Sequence, residues 1–398
     1  MLLVLASTYP RWSGDPEPGF VHELCKRLTS RFRVVVVGPH AAGAKRMEML
    51  DGVEVRRYRY APSALETLIN DGGIVTNLRR APWKWLLLPG FVFGLLWSAW
   101  RTVASERPAV AHAHWLLPQG LALAILGMFD RRVPSFLVTS HGADLYALRS
   151  PPLQALKRFT ARRATALTVV SRAMCEEMAT IGIDSTRVAV QPMGVDLTER
   201  YTPEANVQRS CDELLFVGRL VEKKGLRHLI DAMPRILEAR PSASLVVAGF
   251  GPEEVDRKLQ VARLGLQDKV RFLGAVPQVD LPALYRHAAV FVAPFVRAKS
   301  GDQEGLGLVL VEAIGCGCLA VAGDVPAVRD VLGEFPAICV DVTDHVGLAD
   351  AVVALLSDRQ QAVEQASHLR STLKERFDWL NVANRYGELL ENVSQGRS

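Results

Sequence analysis

Two cations and a glycine follow an apolar run in the second half of the chain, in Gly218-Arg219-Leu220-Val221-Glu222-Lys223-Lys224-Gly225. A glycine at a strand tip lets a ligand approach the backbone, while Arg219 offers a planar fork of donors and Lys224 a compact charge. Cations at the turn into a helix form a seat for an anion, and this pair suits a diphosphate. A solvated basic loop is the alternative interpretation.

Two glutamates stand on either side of a glycine-rich helix start, in Glu304-Gly305-Leu306-Gly307-Leu308-Val309-Leu310-Val311-Glu312. The glycines would expose backbone N–H groups at the helix N-terminus, which is a phosphate site in its own right. If the helix includes both carboxylates, they lie about 12 Å apart, which suits one on sugar hydroxyls and the other on a ribose diol. The alternatives are a helix-dipole role for Glu304 and a buried lysine pair for Glu312. The residues predicted to contact the donor here are Glu304, Gly305, Gly307, Leu308, Val309 and Glu312.

Short apolar runs alternate with longer periodic segments along the whole chain, a pattern typical of the α/β class with helices on both faces of parallel sheets. The first half contains predicted strands at 2–7, 33–38, 53–58, 109–114, 135–140, 166–171 and 187–191. The second half contains predicted strands at 214–218, 244–249, 270–274, 289–294, 319–323 and 337–341. Each set can form its own doubly wound sheet, and both motifs lie where such sheets bind ligands, just beyond strand ends.

A polar stretch without apolar periodicity separates the two sets of strands at residues 200–210. We therefore predict an N-terminal domain over 1–200 and a C-terminal domain over 201–376, with Thr202–Ser210 as the hinge between them. Strands end near residue 344, and a final helix over 377–398 is predicted to cross back onto the first domain.

The bulk composition predicts an ordered cytoplasmic protein. With 398 residues, of which 49% are hydrophobic and 22% charged, the chain is long enough for two cores. The start of the chain lacks a charged n-region and is interpreted as a first strand, not as a signal peptide. The cysteines show neither a Cys-x-x-Cys pair nor a zinc pattern, which indicates reduced thiols; they are Cys25, Cys175, Cys211, Cys316, Cys318 and Cys339.

Charge is distributed unevenly between the two halves. Residues 1–200 carry 25 Lys and Arg against 16 Asp and Glu, whereas residues 201–398 carry 22 against 26. A basic first half would attract an anionic membrane or a phosphorylated acceptor, although an ordinary solvated surface is equally compatible. Thr8-Tyr9-Pro10-Arg11-Trp12 after the first strand is not a Gly-x-Gly-x-x-Gly turn, which argues against nicotinamide chemistry. Nucleic acid also fits poorly as a partner.

Taken together, these motifs resemble those of the family-4 retaining glycosyltransferases of the GT-B fold. Further matches in the family's order are Gly194-Val195-Asp196, Ala248-Gly249-Phe250-Gly251-Pro252, Phe272-Leu273-Gly274 and Phe377-Asp378-Trp379, so that the resemblance covers nearly the whole chain. It implies two Rossmann-like doubly wound domains facing each other across a cleft. It also implies that Arg219 and Lys224 neutralise the donor diphosphate, that Glu304 contacts the transferred sugar and that Glu312 binds the ribose.

The resemblance implies further site residues. His141, in Thr139-Ser140-His141-Gly142, falls where the family places a histidine beside the anomeric centre, so that the predicted catalytic residues are His141 and Glu304. The chain departs from the family at its first loop, where many members have a glycine pair. Gly251 is expected to approach the donor, together with one of the two separated glycines of this loop, Gly14 or Gly19, of which Gly14 is preferred. The length of the loop suggests that Arg11, Trp12 or Asp15 contacts the acceptor.

The resemblance also implies a retaining mechanism without a metal cofactor. Fixed cations and helix N–H groups can stabilise the charge that builds on the leaving diphosphate. We expect the acceptor to attack on the face that the diphosphate leaves, with the departing phosphate oxygen taking the acceptor proton. The family usually holds the base near Val276 to Leu281, but the residues there do not define the base or the hexose.

An apolar stretch at 83–101 holds four of the seven tryptophans. Its charge-free part, 85–100, is shorter than the roughly 20 apolar residues of a spanning helix. It is compatible with a helix in the membrane interface, anchored by Arg79, Arg80, Lys84 and Arg101, or with a buried covering helix. The interfacial alternative makes a polyprenyl-linked acceptor plausible.

These observations predict a hexosyltransferase that uses a nucleotide sugar as donor and a saccharide or lipid-linked saccharide as acceptor. Its expected pathway is cell-envelope or exopolysaccharide assembly, at the inner face of the plasma membrane or in the cytoplasm. Two alternatives remain open: a GT-B nucleotide-sugar epimerase, and a non-catalytic subunit that binds a nucleotide sugar.

Overall fold

The chain divides into two compact units in a computed structural model, which describes residues 1–15, 19–69, 73–333 and 339–396. The first unit comprises Met1–Met193 and Val382–Ser398, and the second comprises Gly194–Asn381. The division therefore falls before the predicted boundary at residue 200, and it falls a second time within the last helix of the chain.

The first unit contains a sheet of eight strands among the described residues, in the order β3-β4-β2-β1-β5-β6-β7-β8. The strands are β1 (Leu2–Leu5), β2 (Val34–Pro39), β3 (Met47–Leu50), β4 (Val53–Tyr58), β5 (Val110–His114), β6 (Phe136–Ser140), β7 (Ala166–Val169) and β8 (Val188–Val190). The helices are α1 (Phe20–Leu28), α2 (Gly73–Arg80), α3 (Leu88–Glu106), α4 (Leu121–Phe129), α5 (Ala143–Tyr146), α6 (Pro151–Arg163) and α7 (Arg172–Thr180). Strand β3 pairs antiparallel with β4, whereas the other neighbours run parallel.

The second unit contains a parallel sheet of six strands among the described residues, in the order β11-β10-β9-β12-β13-β14. Its strands are β9 (Glu213–Val217), β10 (Ser244–Ala248), β11 (Val270–Gly274), β12 (Val290–Ala293), β13 (Leu319–Gly323) and β14 (Cys339–Val340). Its helices are α8 (Leu226–Ala239), α9 (Glu254–Arg263), α10 (Leu281–His287), α11 (Leu308–Gly315), α12 (Pro326–Leu332), α13 (His345–Ser357), α14 (Arg359–Phe377) and the start of α15 (Trp379–Ser394).

The strand order of both sheets confirms the predicted α/β class with two doubly wound sheets. The order reverses between β1 and β5 in the first sheet and between β9 and β12 in the second. Each predicted strand is present in the structure, although residues 337 and 338 of the last one lie outside the described residues. Strand β3 was not predicted, because its alternating exposed and half-buried side chains give no apolar run.

The core of the second unit shows why its central strands are continuous apolar runs. Helix α8 buries Leu226, Leu229, Ile230, Met233 and Ile236, which recur at helical spacing on one face. Together with α13, this face covers one side of the sheet. A strand covered by helices on both faces has no solvent side and therefore needs no polar alternation.

The stretch predicted as a hinge is fastened to the second unit. The guanidinium of Arg209 donates to the carbonyl oxygens of Tyr285, Ala288 and Cys316, at 3.0, 2.7 and 3.0 Å. Arg286 donates to the carbonyl oxygen of Thr202 at 2.7 Å. Residues 200–210 therefore belong to the second unit through long-range hydrogen bonds that local composition does not show, and their role as a hinge stays a prediction.

Two motifs of the family resemblance, far apart in the chain, meet within the second unit. The N–H of Val195 donates to the carbonyl oxygen of Phe377 at 2.8 Å, and the carboxylate of Asp378 accepts from the N–H of Leu197 at 3.2 Å. A side chain at Gly194 would lie 2.5 Å from the ring of Trp379, so that only glycine fits there. These contacts fix the start of α15.

Candidate functional site

The candidate donor site lies where the strand order of the second sheet reverses. Strands β9 and β12 are neighbours at that point, and their following loops carry the two predicted motifs. Open α/β sheets bind ligands at the carboxyl ends of such strands, because the two loops diverge there and leave a crevice. The topology thus brings residues about eighty positions apart in sequence to one edge of one sheet.

Gly225 allows the turn after β9 to approach the end of β12. Its φ is +68°, and a Cβ atom there would lie 1.7 Å from the carbonyl oxygen of Pro294. The N–H of Val296 donates to the carbonyl oxygen of Lys223 at 3.0 Å, which fastens the same two loops. The position of Lys224 relative to the β12 loop is therefore set by backbone packing.

Lys224 and Glu304 form an ion pair at this edge. The Nζ atom of Lys224 lies 2.7 Å from Oε2 of Glu304, and both side chains are 15% exposed. The same Nζ atom lies 4.6 Å from the ring centroid of Phe295, within the range of a cation–π interaction. A carboxylate and an aromatic face therefore hold the ammonium, which has three N–H donors in all.

The surroundings of Glu304 favour its ionised form. Burial alone would raise the pKa of this carboxyl, but the charges of Lys224 and Lys223 and the N–H of Gly307 outweigh it and lower the pKa to about 2. Lys223 also donates to Asp302 and to the carbonyl oxygen of Gln303, both at 3.2 Å, which holds the approach to Glu304. Glu304 is therefore a permanent hydrogen-bond acceptor at neutral pH.

Helix α11 begins later than predicted. Gly307 has a φ of +83° and forms the N-terminal cap, so that the helix starts at Leu308 and Glu304 lies in the preceding loop. The distance of about 12 Å was expected for two glutamates in one helix. It does not apply here, because Glu304 lies outside α11. The first N–H groups of a helix have no partner within the helix. In α11 these groups belong to Leu308 and Val309. The preceding loop contains Gly305, which is buried.

Glu312 lies inside α11, on its buried side. Its carboxylate accepts a hydrogen bond of 3.0 Å from the hydroxyl of Tyr285, which replaces the lysine pair considered above. Burial raises the pKa of Glu312 to about 7, although the Tyr285 hydrogen bond and the charges of Lys224 and Arg200 act in the opposite direction. Glu312 is therefore poised to gain or lose a proton near neutral pH. Tyr285 had no signal in the sequence.

Arg219 and Gly251 lie on the loops that follow two neighbouring strands, β9 and β10. Arg219 is half-buried and follows Gly218 directly. The N–H of Leu220 donates to the carbonyl oxygen of Phe250 at 2.9 Å, and a Cβ atom at Gly251 would lie 2.6 Å from the carbonyl oxygen of Leu220. This close packing is a structural reason for glycine at 251, and contact of Gly251 and Arg219 with a donor stays a prediction.

His141 belongs to the first unit and lies at the carboxyl end of β6. Its Nε2 atom is 2.9 Å from Nδ1 of His114, at the end of β5, and the two rings are stacked with centroids 5.1 Å apart. The rings of Phe20 and Trp115 lie 5.0 Å from it. The strand-tip position is as predicted, and the catalytic role of His141 stays a prediction.

His141 is part of a row of neutral imidazoles. His112 lies beside His114 with ring centroids 4.1 Å apart, and its Nε2 atom is 2.7 Å from the hydroxyl of Thr139. Burial lowers the pKa of His141 and of His112 to about 3 each, and burial with the neighbouring rings lowers that of His114 well below its usual value. His112 and His114 were missed, although two histidines two residues apart in an apolar strand were a visible signal.

In the first loop, two of the residues predicted to contact the acceptor substrate, Arg11 and Asp15, pair with each other. The guanidinium of Arg11 makes two hydrogen bonds to the carboxylate of Asp15, at 2.8 and 2.6 Å, and lies 4.5 Å from the ring centroid of Trp12. Gly14 has a φ of +80° and open space around it. Residues 16–18 of this loop lie outside the described residues. Contact of the loop with an acceptor, and of Gly14 with a donor, stays a prediction.

Comparisons with known families match both units. Residues 202–375 match the family described as glycosyl transferases group 1, and residues 20–199 match the family described as Glycosyltransferase Family 4. The group 1 match contains Lys224, Glu304 and Glu312, and the Family 4 match contains His141.

Curated relatives and solved structures agree with these matches. The chain is 30% identical over 288 residues to the GDP-mannose-dependent alpha-(1-6)-phosphatidylinositol monomannoside mannosyltransferase of Mycolicibacterium smegmatis, covering 69% of this chain and 75% of the relative. It is 28% identical over 327 residues to the glycogen synthase of Mycobacterium tuberculosis, covering 78% and 76%.

Similar folds occur in sucrose-phosphate synthase from Thermosynechococcus elongatus, with a TM-score of 0.77, 21% identity and 98% of both chains covered. They also occur in Anabaena Alr3699/HepE in complex with UDP and glucose, with a TM-score of 0.71, 19% identity, and 98% of this chain and 99% of that one covered. The chain therefore belongs to the family-4, group 1 glycosyltransferases and is a transferase enzyme of the GT-B fold.

Proposed function

We propose that this enzyme moves a hexose, with retention of the anomeric configuration, from a nucleoside-diphosphate sugar to a saccharide or lipid-linked saccharide acceptor. The observation that carries the proposal is the ion pair of Lys224 with Glu304 at the start of α11. A cation for phosphate and an ionised acceptor for hydroxyl groups stand side by side there, as a sugar attached to a diphosphate requires.

In the proposed donor complex, the diphosphate lies against Lys224, Arg219 and the N-terminus of α11. The N–H groups of Leu308 and Val309 add the positive end of the helix dipole to these side chains. Glu304 accepts hydrogen bonds from the sugar hydroxyls, and Glu312 accepts them from the ribose diol. The base is expected beside the segment after β11, from Val276 to Leu281.

The proposed reaction forms a bond between an acceptor oxygen and the anomeric carbon and breaks the bond from that carbon to the diphosphate oxygen. The departing phosphate oxygen takes the acceptor proton, so that nucleoside diphosphate is the second product. Negative charge grows on the leaving group, and preorganised cations and N–H groups stabilise it in the transition state. We propose that these groups suffice without a metal cofactor.

Relatives narrow the search for substrates. The Mycolicibacterium smegmatis relative is named for GDP-mannose and a phosphatidylinositol mannoside, and the Anabaena structure contains UDP and glucose. We therefore propose a role in cell-envelope or exopolysaccharide assembly, in the cytoplasm or at the inner face of the plasma membrane, with peripheral contact through residues 83–101.

Product analysis tests the proposal. Purified enzyme is incubated with GDP-mannose or UDP-glucose, with and without saccharide and lipid-linked saccharide acceptors, and products are identified by mass spectrometry and NMR. The proposal expects acceptor-dependent release of nucleoside diphosphate, an axial glycosidic bond from an axial donor, and full activity in EDTA. Conversion of the donor to an epimer without acceptor, or a product of inverted configuration, would contradict it.

A further inference from the structure

An apolar surface of the first unit is exposed along the segment that leads into and includes α3. A 3₁₀ helix over Pro82–Leu87 continues directly into α3, and the whole stretch is long and apolar enough, by length and composition only, to cross a membrane. Leu86 and Phe93 are 81% and 68% exposed. We name as the tryptophan face the exposed side chains of Trp83, Trp85, Leu86, Val92, Phe93 and Trp97.

The opposite side of this helix is locked into the fold. A Cβ atom at Gly90 would lie 2.4 Å from the carbonyl oxygen of Tyr60, and one at Gly94 would lie 2.7 Å from the ring of Tyr58. The ring of Phe91 packs edge-on against both tyrosines. Crossing a membrane would require these contacts to break, so that the helix is suited to lie along a surface and not to span it.

Helix α4 packs against α3 and carries further exposed apolar side chains. The rings of Trp97 and Trp100 have centroids 5.1 Å apart on α3. The last residue of α4, Phe129, is 82% exposed, and Met128 is exposed as well. Two helices that pack against each other therefore both expose large apolar side chains, more than the scattered apolar residues of an ordinary surface.

Exposed cations are neighbours of these apolar residues in the chain. Arg79 and Arg80 end α2, directly before the tryptophan face, Arg101 follows Trp100, and Arg131 follows the tip of α4; all four side chains are exposed. Lys84 was expected to be one of the anchoring cations. Its Nζ atom instead donates to the carbonyl oxygen of Thr67 and to the side chain of Asn77. The acidic Asp130 is paired with Arg132.

We infer that the tryptophan face, together with Met128 and Phe129, docks on the anionic surface of a lipid bilayer, with α3 lying in the plane of the membrane. Tryptophan and phenylalanine partition to the boundary of headgroups and acyl chains, and arginine pairs with lipid phosphates. The inference deepens the proposed function and rests on it for one point, that a docked enzyme meets a lipid-linked acceptor.

Vesicle flotation tests the inference. The full chain is mixed with vesicles of phosphatidylcholine alone or with phosphatidylglycerol, and the floated fraction is measured for wild type and for the triple variant Phe93→Ser, Trp97→Ser, Phe129→Ser. The matched control replaces exposed apolar residues of α9, as Val255→Ser, Leu259→Ser. The wild type and the control are expected to float with anionic vesicles, and the triple variant to partition at least about tenfold less.

The electrostatic part has its own variant, Arg79→Gln, Arg80→Gln, Arg131→Gln, which should reduce partitioning about fivefold for each cation removed, with less effect in high salt. Flotation of Phe129→Ser alone shows whether α4 takes part. Failure of the wild type to float, or equal flotation with neutral vesicles, would overturn the inference. Self-association in sedimentation that the triple variant abolishes would also overturn it, in favour of a second copy as the occupant.

Nucleotide binding and transfer onto a soluble acceptor are measured in parallel. The triple variant is expected to keep both, which shows that it is folded. Loss of transfer in every form with retained flotation would reject the proposed function and leave the membrane surface standing.

Discussion

The Nζ atom of Lys224 lies 2.7 Å from Oε2 of Glu304, at the edge of the second sheet where its strand order reverses. The charge of Lys224 lowers the pKa of Glu304 in a partly buried place, so that this carboxylate is ionised before any donor arrives. Without a donor, Glu304 acts as the counter-ion of Lys224; with a donor, the diphosphate is expected to share that role.

Glu304→Gln should destabilise the second unit in a pH-dependent way. The pKa of Glu304 is lowered from 4.5 to about 2, so the pair stabilises the fold fully above about pH 4.5 and loses this contribution as the pH falls towards 2. We expect a loss of up to about 3 kcal/mol at pH 7, measured by urea unfolding, and a smaller loss at lower pH. The control Glu254→Gln breaks the surface pair with Lys258 and should cost less than about 1 kcal/mol. Equal effects of the two variants would contradict this prediction.

Because of Glu312, donor affinity and protein stability should change in opposite directions as the pH rises. Its pKa is raised from 4.5 to about 7, so the folded form keeps a proton that the unfolded chain releases, and stability falls as the pH rises through this window. Donor affinity should rise over the same window, because the ionised carboxylate is the stronger acceptor for the ribose diol. Calorimetric titrations and thermal unfolding from about pH 5 to 8 check both trends. Glu312→Gln should remove both; a variant that keeps the wild-type slopes would refute the assignment.

His141→Asn should lower activity at every pH by a similar factor. The pKa of His141 is lowered to about 3 by burial, so the ring is neutral wherever the protein is folded and active. We expect a loss of at least about 100-fold in kcat/KM. The pH profile of wild-type activity should contain no step near pH 6.5 that disappears in His141→Asn. The control His287→Asn changes an exposed ring on α10 and should have little effect. Activity of His141→Asn within twofold of wild type would exclude a catalytic role.

Gly225→Ala should disrupt the candidate site through the backbone. A Cβ atom there would overlap the carbonyl oxygen of Pro294 and would also need a left-handed conformation. We expect a loss of about 3 kcal/mol or more in unfolding free energy, together with weaker nucleotide binding. Gly265 is a matched control, because its φ is +67° and no atom lies within 4 Å of the added carbon. Gly265→Ala should cost only about 1 kcal/mol and leave binding unchanged, and equal losses would contradict the close-approach argument.

The sequence predicted the architecture well because buried parallel strands are distinctive. Runs such as Val34–Val37 and Val290–Val292 have no polar alternation, and each half repeats the pattern. Strand β3 gave no such run because it lies at an edge and pairs antiparallel. The attachment of residues 200–210 to the second unit was not predicted, because Arg209 looks like any polar linker residue until its partners in α10 and directly after α11 are known.

The positions of the candidate residues after strand ends could be predicted from the sequence, but the contacts among them could not. Lys224 was expected at the diphosphate and Glu304 at the transferred sugar, whereas their direct pairing depends on the approach of Gly225 to Pro294. The start of α11 was misplaced because Gly307 adopts a left-handed conformation that local propensity does not define. Tyr285 was missed because a contact with Glu312 across two helices leaves no mark on spacing.

Calorimetric comparison of nucleoside diphosphate with monophosphate, in wild type and in Lys224→Ala, tests the central claim most directly. The affinities for GDP and GMP, and for UDP and UMP, are compared. The wild type should bind the diphosphate of the nucleotide that it recognises more tightly than the monophosphate. Lys224→Ala should reduce this preference by about tenfold or more, which corresponds to one charge-assisted hydrogen bond. Lys258→Ala, which changes an exposed lysine on α9, should keep it. A Lys224→Ala variant with the full preference for the diphosphate would contradict the claim that Lys224 and the start of α11 form the phosphate site.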